Sequence, residues 1–430
     1  MTATVEPTRV GAPRLALPTW ARWALYAAIG VAVLTVTQAL AEPETDLLTT
    51  SQSSGAMLRW AVPIMLAALG GVFSERAGVV NIGLEGMMIL GTWFGAWGAL
   101  EYGPWAGMAI GAAGGAAGGL LHAVATVSFG VDHIISGVAV NLLAPGVARY
   151  LSDQVFTGRE GGSITQSPGV DGVSSFSVPF LAGGDLFGWR TPDLLGWFER
   201  HDWFYVSDLA GMARGLVGDV SWLTLLAFAL VPLSTWLLWR TRFGLRLRSC
   251  GEHPVAAETL GVDVYRYKYY GVVISGALAG LGGAYIVIEL TSIYKQGQTQ
   301  GRGFIGLATL IFGNWHPVSA ALGSLLFGFV RGLQLRDLSG NGVHALLLLA
   351  ALALAGLFVV SRRRGRRTDA VMSGIGAIVF AVWYLTTDSV PQVFPPITPF
   401  IVVLLVLIFR GQKLRMPAAD GMIYRKGEHT

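Results

Sequence analysis

Apolar stretches of about 20 residues, separated by polar connections, recur along this chain, and this pattern constrains the fold more than any other feature of the sequence. A segment of that length can cross a bilayer as a helix, because a helix hydrogen-bonds all its backbone polar groups within the segment. The composition agrees, since 53% of the 430 residues are hydrophobic and 13% are charged, against about 25% charged in an ordinary soluble domain. The sequence therefore predicts an all-α polytopic membrane protein.

The apolar stretches correspond to about twelve membrane passes. One of them, residues 303–315, is too short for a full pass and is followed by Pro317, so we expect a broken or re-entrant helix there. The other predicted spans are residues 20–41, 57–73, 82–100, 105–127, 134–151, 221–239, 270–290, 318–335, 343–360, 370–386 and 399–409.

The basic residues predict the orientation of these passes. If the tail at residues 1–18 is cytoplasmic, the clusters RTRFGLRLR (240–248) and RRRGRR (362–367) both fall inside, as the positive-inside rule requires. The tail at residues 412–430 then lies inside as well, and the polar, aromatic stretch 153–220 lies outside, along the membrane interface. We therefore predict a multi-pass membrane protein with both termini in the cytoplasm.

The longest basic connection, residues 240–269, contains a short helical pattern. Pro254 suits the first turn of a helix, apolar residues follow at helical spacing, and Gly261 can end it. Ala256 and Ala257 lie side by side and leave a low surface on which another protein could pack. An ordinary solvated loop is the other interpretation, and the pattern by itself leaves both open.

A polar, glycine-rich stretch at residues 74–91 leads into the third predicted span. Asn81 and Glu85 enter the apolar run, and intramembrane carboxylates mostly face a bundle interior or a water-filled path. Glycines in such a stretch allow a transporter helix to unwind near its substrate. The alternative interpretation is structural, with Glu85 capping or pairing with a helix end.

A faint internal repeat favours an architecture of two inverted halves. The triplet at 69–71 precedes NIGLEGMMILGTW, and a matching Leu-Gly-Gly triplet at 281–283 precedes FIGLATLIFGNW. By the count of passes, the second and seventh spans run in opposite directions, as an inverted repeat requires. A match this short in glycine-rich apolar sequence could also arise by chance.

The sequence lacks the motifs of several catalytic classes. It contains no GxxxxGK[ST] phosphate loop and no HExxH zinc motif, and its histidines are scattered. The single cysteine, Cys250, excludes an intrachain disulfide and a cysteine-based metal site. The net charge is only +4, and the Lys and Arg residues gather in a few loops instead of forming a basic face, which argues against nucleic-acid binding. We therefore expect a chain that is not an enzyme and that carries no metal or cofactor.

Four segments resemble the permease subunits of bacterial ABC importers for nucleosides and simple sugars, relatives of the ribose permease. Together they run through most of residues 57–424, and the first segment and the tail are most similar to the nucleoside branch. The segments are ERAGVVNIGLEGMMILG (75–91), CGEHPVAAETLGVDVYRYKYYGVVISGALAGLGGAY (250–285), GRGFIGLATLIFGNWHPVSAALGSLLFGF (301–329) and PPITPFIVVLLVLIFRGQKLRMPAADGMIY (395–424).

The resemblance implies a ribose-permease-like core of ten helices. The transmembrane core would occupy residues 19–334, with its last helix at 395–411. Residues 335–394 depart from the family pattern, because they contain about two extra spans around RRRGRR where the family has a short connection. We expect these extra helices to be peripheral.

The resemblance also implies that residues 254–261 form the coupling helix, which docks on a separate ABC ATPase. ATP and magnesium would then bind the ATPase and not this chain. The other implied partners are a second permease subunit, in a heterodimer, and an extracellular solute-binding lipoprotein. The residues assigned to the ATPase contact are Glu252, Pro254, Ala256, Ala257 and Gly261.

For a nucleoside substrate, the path should offer hydrogen-bonding partners and aromatic faces with little formal charge. The residues best placed by sequence are Asn81, Glu85, Asn141 and Phe304. Asn141 could instead bond between helices, and Phe304 could belong to the core. Two other functions stay open: a permease for ribose or galactose-type sugars, and an ion-coupled secondary transporter in which Glu85 would be the ion site.

Overall fold

Helices dominate the computed structural model, which describes residues 19–41, 48–336, 341–390 and 414–427. The predicted tail at 1–18 and the predicted last core helix at 395–411 lie outside the described residues. The helices are α1 (Thr19–Ala41), α2 (Ser51–Arg76), α3 (Leu84–Tyr102), α4 (Pro104–Ala123), α5 (His133–Val155), α6 (Leu194–Glu199), α7 (Val206–Val217), α8 (Trp222–Arg240), α9 (Arg242–Glu252), α10 (Pro254–Thr259), α11 (Val264–Tyr285), α12 (Arg302–Phe312), α13 (Pro317–Arg336), α14 (Asn341–Arg363) and α15 (Arg367–Thr386).

Two helices continue as single π-helical turns, and the described strands are very short. The π-helical turns extend α4 through Val124–Ser128 and α11 through Ile286–Thr291. Strand β1 (Ser175–Phe176) pairs antiparallel with β4 (Val220–Ser221), and β2 (Asp185–Leu186) pairs antiparallel with β3 (Trp189–Arg190).

Eight of the described helices are long and apolar enough to cross a membrane, which confirms the predicted all-α polytopic membrane protein. The predicted passes that fall outside these eight correspond to α1, to α3, to the short α12 and to residues 395–411. Helix α3 is less apolar because it carries a glutamate near each end, Glu85 and Glu101.

The core of the bundle is formed where α2, α3, α4 and α11 meet through glycine faces. A Cβ on Gly91 of α3 would lie 2.1 Å from the carbonyl oxygen of Gly280 on α11, and one on Gly115 of α4 would lie 2.5 Å from the Gly280 Cα. Such distances mean that the helix backbones touch, which glycine permits and larger residues prevent. The high glycine content of the sequence is therefore used for close helix packing.

The bundle has two distinct ends. Helix α2 begins beside the 156–221 insert, where the Ser51 amide donates to Glu199 at 2.9 Å. It ends beside the 241–263 segment, where Arg76 lies 3.6 Å from Glu252. We call these the insert end and the basic end of the bundle.

Helices α2 and α11 run antiparallel, since Pro63 faces Gly282 and Gly70 faces Ser275 along their contact. The helices that follow each of them, α3 and α12, also run in opposite directions. The arrangement has the directions that an inverted repeat requires. Helix α12 has only 11 residues and begins inside the bundle rather than at its surface, as the short apolar stretch predicted.

The insert packs over the N-terminal end of α2 through its two short helices, α6 and α7. Arg214 holds them together with ion pairs of 2.7 Å to Asp193 and 3.0 Å to Glu199. Trp189 and Trp203 are exposed on the surface of the insert, the stretch that the sequence placed along the membrane interface.

The predicted extra helices form the hairpin α14–α15, which packs mainly on itself. His344 stacks on Tyr384 across the hairpin at 4.6 Å between ring centroids. Its base contacts the bundle through a small apolar cluster that includes Leu48 and Phe329. Most of the apolar side chains of α15 face outward, so the hairpin lies at the periphery of the described bundle.

Candidate functional site

The basic connection folds into two short helices, α9 and α10, at the basic end of the bundle. The Thr241 side chain caps α9 by accepting from the Gly244 amide at 3.1 Å. Pro254 occupies the first turn of α10, as the sequence predicted, because proline has no N–H to lose at that position. Gly261 follows the helix with φ of +80°, a conformation that glycine adopts without strain.

Helix α10 packs one face against α9 and α11 and leaves the opposite face exposed. Ala257 is buried against Cys250 and Val264, so its side chain does not contribute to an outer surface. Ala256 is exposed, and Leu260 is 85% exposed. The expectation that both alanines form one exposed surface therefore needs correction, because successive helical residues point in directions about 100° apart.

Glu252 is exposed and also makes two contacts within the chain. One carboxylate oxygen lies 3.6 Å from the Arg76 guanidinium, and the other accepts from the Ala418 amide at 3.3 Å. Nearby, burial raises the pKa of the Cys250 thiol to about 11, so this cysteine stays neutral. The two Glu252 contacts tie the basic connection to the end of α2 and to residues 414–427.

Glu85 lies at the start of α3 and receives the N-terminus of α12. Its carboxylate oxygens accept from the amides of Gly301 at 2.9 Å and Gly303 at 2.7 Å. The residue is only 8% exposed. A buried carboxylate in this position satisfies two N–H groups that an isolated helix end leaves unpaired, and it opposes the positive end of the helix dipole. The structure places Glu85 in the capping role that the sequence left open.

Asn141 joins α5 to the beginning of α3. Its side-chain oxygen accepts from the Gly86 amide at 2.7 Å, and its nitrogen donates to the Ile82 carbonyl at 2.9 Å. The side chain therefore bonds between elements, the alternative that the sequence had left open.

Asn81 is fully buried at the break between α2 and α3. Its nitrogen donates to the Ser275 hydroxyl on α11 at 2.9 Å, whereas its oxygen has no hydrogen-bond partner among the described residues. A buried, unpaired amide oxygen is costly, and such groups are rare in folded proteins. The break between α2 and α3, which we call the broken-helix region, therefore contains one acceptor without a partner among the described residues.

Phe304 differs from the three polar candidates because its ring faces out of α12 and is 37% exposed. The three polar candidates lie around the start of α3, where Glu85 also contacts the start of α12, and Phe304 lies in the first turn of α12. The structure thus brings together the residues of this predicted group, with the polar ones inside and the aromatic one at the surface.

The sequence interpretation missed an arginine pair within the bundle. Two guanidinium groups lie over the Trp60 ring, Arg302 at 4.9 Å and Arg331 at 5.6 Å from its centroid. Arg302 also donates to backbone carbonyls at 2.6 and 3.0 Å. The carbonyl dipoles and the π-face of Trp60 therefore both stabilise its positive charge. Two arginines inside or beside apolar runs were the available signal, because intramembrane cations mark special sites.

A second missed group lies in the segment 414–427, which folds against the basic end. Burial and the neighbouring Glu75 raise the pKa of the Asp420 carboxyl to about 9. The Tyr424 hydroxyl hydrogen-bonds to the Glu258 carboxylate on α10. The short polar tail gave no periodic pattern from which these contacts could be expected.

Comparisons with known proteins agree with this architecture. The family model described as "Branched-chain amino acid transport system / permease component" matches residues 54–355. The guanosine ABC transporter permease protein NupQ of Bacillus subtilis is 37% identical over 65% of this chain and 81% of its own length. The nucleoside ABC transporter permease protein NupC of Lactococcus lactis is 38% identical over 64% of this chain and 80% of its own length.

A third relative comes from an archaeon. The putative glucose ABC transporter permease protein TsgC13 of Haloferax volcanii is 32% identical over 66% of this chain and 77% of its own length. No solved structure matches the chain. The family model covers well over half of the sequence and all the helices around the broken-helix region, and the chain therefore belongs to this permease family of the branched-chain amino acid transport system.

Proposed function

We propose that this chain is the permease subunit of an ATP-driven importer of nucleosides, and that α10 couples it to a separate ABC ATPase. The observation that carries the proposal is the outer face of α10. This face presents Ala256 and the 85% exposed Leu260 at the tip of a folded, basic segment. A large exposed apolar residue on a rigid polar protrusion suits insertion into a groove of another protein.

The partner ATPase would bind ATP and magnesium, and its closure would push or release α10. The permease itself needs only a helix bundle with two stable conformations and a rigid element that contacts the ATPase and moves with it. A second permease subunit would complete the path, and the exposed apolar side chains of α5 offer a face for that contact. An extracellular solute-binding lipoprotein would deliver substrate at the insert end.

The proposed orientation places the basic end and both termini in the cytoplasm of a bacterial cell. The high positive charge of residues 240–268 supports this, as does the packing of residues 414–427 against the same end. The insert at 156–221 would then face outward.

Nucleosides are the proposed substrates because two relatives at 37% and 38% identity are named as guanosine and nucleoside permeases. Phe304 offers an aromatic face suited to stacking on a base, and the free acceptor of Asn81 suits a hydroxyl or amine donor that reaches the break. Glu85 and Asn141 would shape this region through their backbone contacts. Glucose or another simple sugar is the second candidate, because a 32% identical relative is named as a putative glucose permease.

The test is uptake by cells that express the chain with its ATPase, second permease and binding protein. We expect accumulation of radiolabelled guanosine, competed by other nucleosides and not by glucose or ribose. The reverse competition would support the sugar alternative. Accumulation that persists when the ATPase is catalytically inactive would instead indicate an ion-coupled carrier.

The coupling role is tested with two matched leucines of the basic segment. Leu260→Glu alters the outer face of α10, and Leu245→Glu makes the same change at a residue of α9 that is 62% exposed. We expect Leu260→Glu to lower uptake at least about tenfold while the protein still folds. In the complex Leu260 would be buried in the ATPase groove, and a few buried anchor residues contribute most of the binding energy of an interface. Normal uptake by Leu260→Glu, or equal losses in both variants, would contradict α10 as the docking element.

A further inference from the structure

Residues 414–427, which we call the C-terminal strap, cross the basic end of the bundle and bind to several elements at once. At its start, the Arg415 amide donates to the Asn314 side chain, in the turn between α12 and α13, at 2.7 Å. In its middle, the Ala419 amide donates to the Gly251 carbonyl of α9 at 2.8 Å. The strap is therefore fixed by directional bonds and is not merely lying on the surface.

The far end of the strap is attached to α10 and to the first turn of α11. The Tyr424 hydroxyl bonds to the Glu258 carboxylate, and the Tyr424 ring packs 5.6 Å from the ring of Tyr265. The same ring also contacts the buried cluster that contains Ala257. Any movement of α10 relative to the bundle must either carry Tyr424 with it or break this bond.

The middle of the strap lies against the break between α2 and α3. Gly78 has φ of +80°, and a Cβ there would lie 3.1 Å from the Gly251 Cα and 3.2 Å from the Ala419 carbonyl oxygen. Asp420 is 7% exposed and faces Glu75 at the end of α2. The strap and the break thus approach backbone to backbone at Gly78, where no side chain separates Gly78 from Ala419.

The break is the same region that holds Asn81 and leads into Glu85, the residue that caps α12. A displacement at the strap would therefore reach the N-terminus of α12 through a short chain of close contacts. Rigid, closely packed contacts of this kind transmit small movements, because packed interiors deform little.

We propose that the C-terminal strap carries the movement of α10 to the α2–α3 break, with Tyr424 as the positioning residue that clamps the strap to the coupling helix. This inference rests on the proposed function for its role in transport, whereas the mechanical link between α10 and the break stands on the contacts alone. A passive cover would bury apolar surface without bonds to both moving elements. The strap instead bonds to α10 at one point and packs on the break at another.

The variant Tyr424→Phe tests the link because it removes one hydroxyl and keeps the ring. Tyr270→Phe is the matched control, since the Tyr270 hydroxyl accepts from Arg266 at 2.7 Å on the same helix and contacts neither α10 nor the strap. Glu258→Gln is the conservative variant, because an amide oxygen still accepts from Tyr424.

The first readout is hydrogen exchange of the backbone amides at residues 77–86 in the purified full-length chain. We expect Tyr424→Phe to speed exchange there about tenfold, the factor that follows from losing one hydrogen bond to a carboxylate. Tyr270→Phe should leave it unchanged, and Glu258→Gln should fall between. Unchanged exchange in Tyr424→Phe would overturn the link.

The second readout is transport per ATP hydrolysed in the assembled complex. We expect Tyr424→Phe to assemble and hydrolyse ATP normally but to move several-fold less nucleoside per ATP, whereas a purely structural role would lower the amount of complex and leave the ratio intact. An unchanged ratio beside faster exchange would overturn the role of the strap in coupling. The wild-type complex could show no ATP-dependent uptake while Tyr424→Phe still speeds exchange at residues 77–86. That result would contradict the proposed function and not the mechanical link.

Discussion

The cap that Glu85 places on α12 gives the sharpest prediction of stability. Its two carboxylate oxygens accept from the amides of Gly301 and Gly303 at 2.9 and 2.7 Å in a site that is only 8% exposed. Hydrogen bonds to a charged acceptor contribute about 1.5–3 kcal/mol each. Replacing Glu85 by alanine removes both and leaves the buried Gly303 amide and the half-buried Gly301 amide without these acceptors.

We therefore expect Glu85→Ala to lower the free energy of unfolding by about 3–6 kcal/mol, from two such bonds. That is a large part of the about 5–15 kcal/mol that stabilises a typical domain. Glu85→Gln keeps one acceptor oxygen for one of the two amides, so we expect about half that loss. Helix α12 should fray from its N-terminus first, because its cap is the group that is lost.

The matched control is on the same helix. Glu101, near the other end of α3, makes an ion pair of 2.7 Å with Arg159 at the surface. An exposed pair contributes only about 0–1 kcal/mol, so Glu101→Ala should behave almost as the wild type. The difference between the two glutamates isolates burial and helix capping from the mere loss of a carboxylate.

Thermal unfolding of the purified chain in detergent or nanodiscs measures the effect. We expect a loss of several degrees in Tm for Glu85→Ala, a smaller loss for Glu85→Gln and almost none for Glu101→Ala. Equal Tm values for Glu85→Ala and Glu101→Ala would refute the capping argument. Loss of uptake in Glu85→Gln with an unchanged Tm would instead favour a direct role in transport, as an ion-coupled carrier requires.

Three further outcomes are expected. Gly91→Ala would place a methyl group 2.1 Å from a carbonyl oxygen of α11, so little folded protein should elute on size exclusion, whereas Gly146→Ala, with nothing within 4 Å, should fold normally. A cysteine at Gly365, in a chain without the native thiol, should resist an impermeant reagent in intact cells, and labelling from outside would contradict the proposed topology. Burial beside Glu75 raises the pKa of Asp420 from 3.8 to about 9. In the pH interval between these two values, Asp420 is protonated in the docked strap and ionised in the undocked strap. Stability should then fall as pH rises across that interval, and Asp420→Asn should flatten the dependence of Tm on pH.

The basic connection at residues 240–269 shows how much of a structure a local sequence pattern can predict. Pro254 and Gly261 indicated where a helix could start and end, because both residues act through their own backbone geometry, although the pattern left a solvated loop open. The direction of Ala257 could not be predicted, since burial depends on Cys250 and Val264 approaching from other elements. Sequence therefore predicts that a helix forms and not which of its faces stays free.

The broken-helix region shows the same division. Its polar residues and glycines were recognisable as a site, because intramembrane carboxylates and amides are rare. The partner of Glu85 lies 216 residues away at Gly301, and the partner of Asn81 lies 194 residues away at Ser275. No periodicity within a short window carries information about contacts at such separations.

The sequence by itself determined the class of the protein, most of its membrane passes and the place of the short helix α12. These properties follow from the length and hydropathy of each segment, because each membrane helix satisfies its own backbone hydrogen bonds and must match the bilayer thickness by itself. Only the tertiary structure decided that Glu85 caps α12, that Arg302 and Arg331 share the Trp60 ring, and that the C-terminal strap binds α10 and the break. Those contacts join segments that are distant in the chain, and they form only when the helices pack and each buried polar group must find a partner.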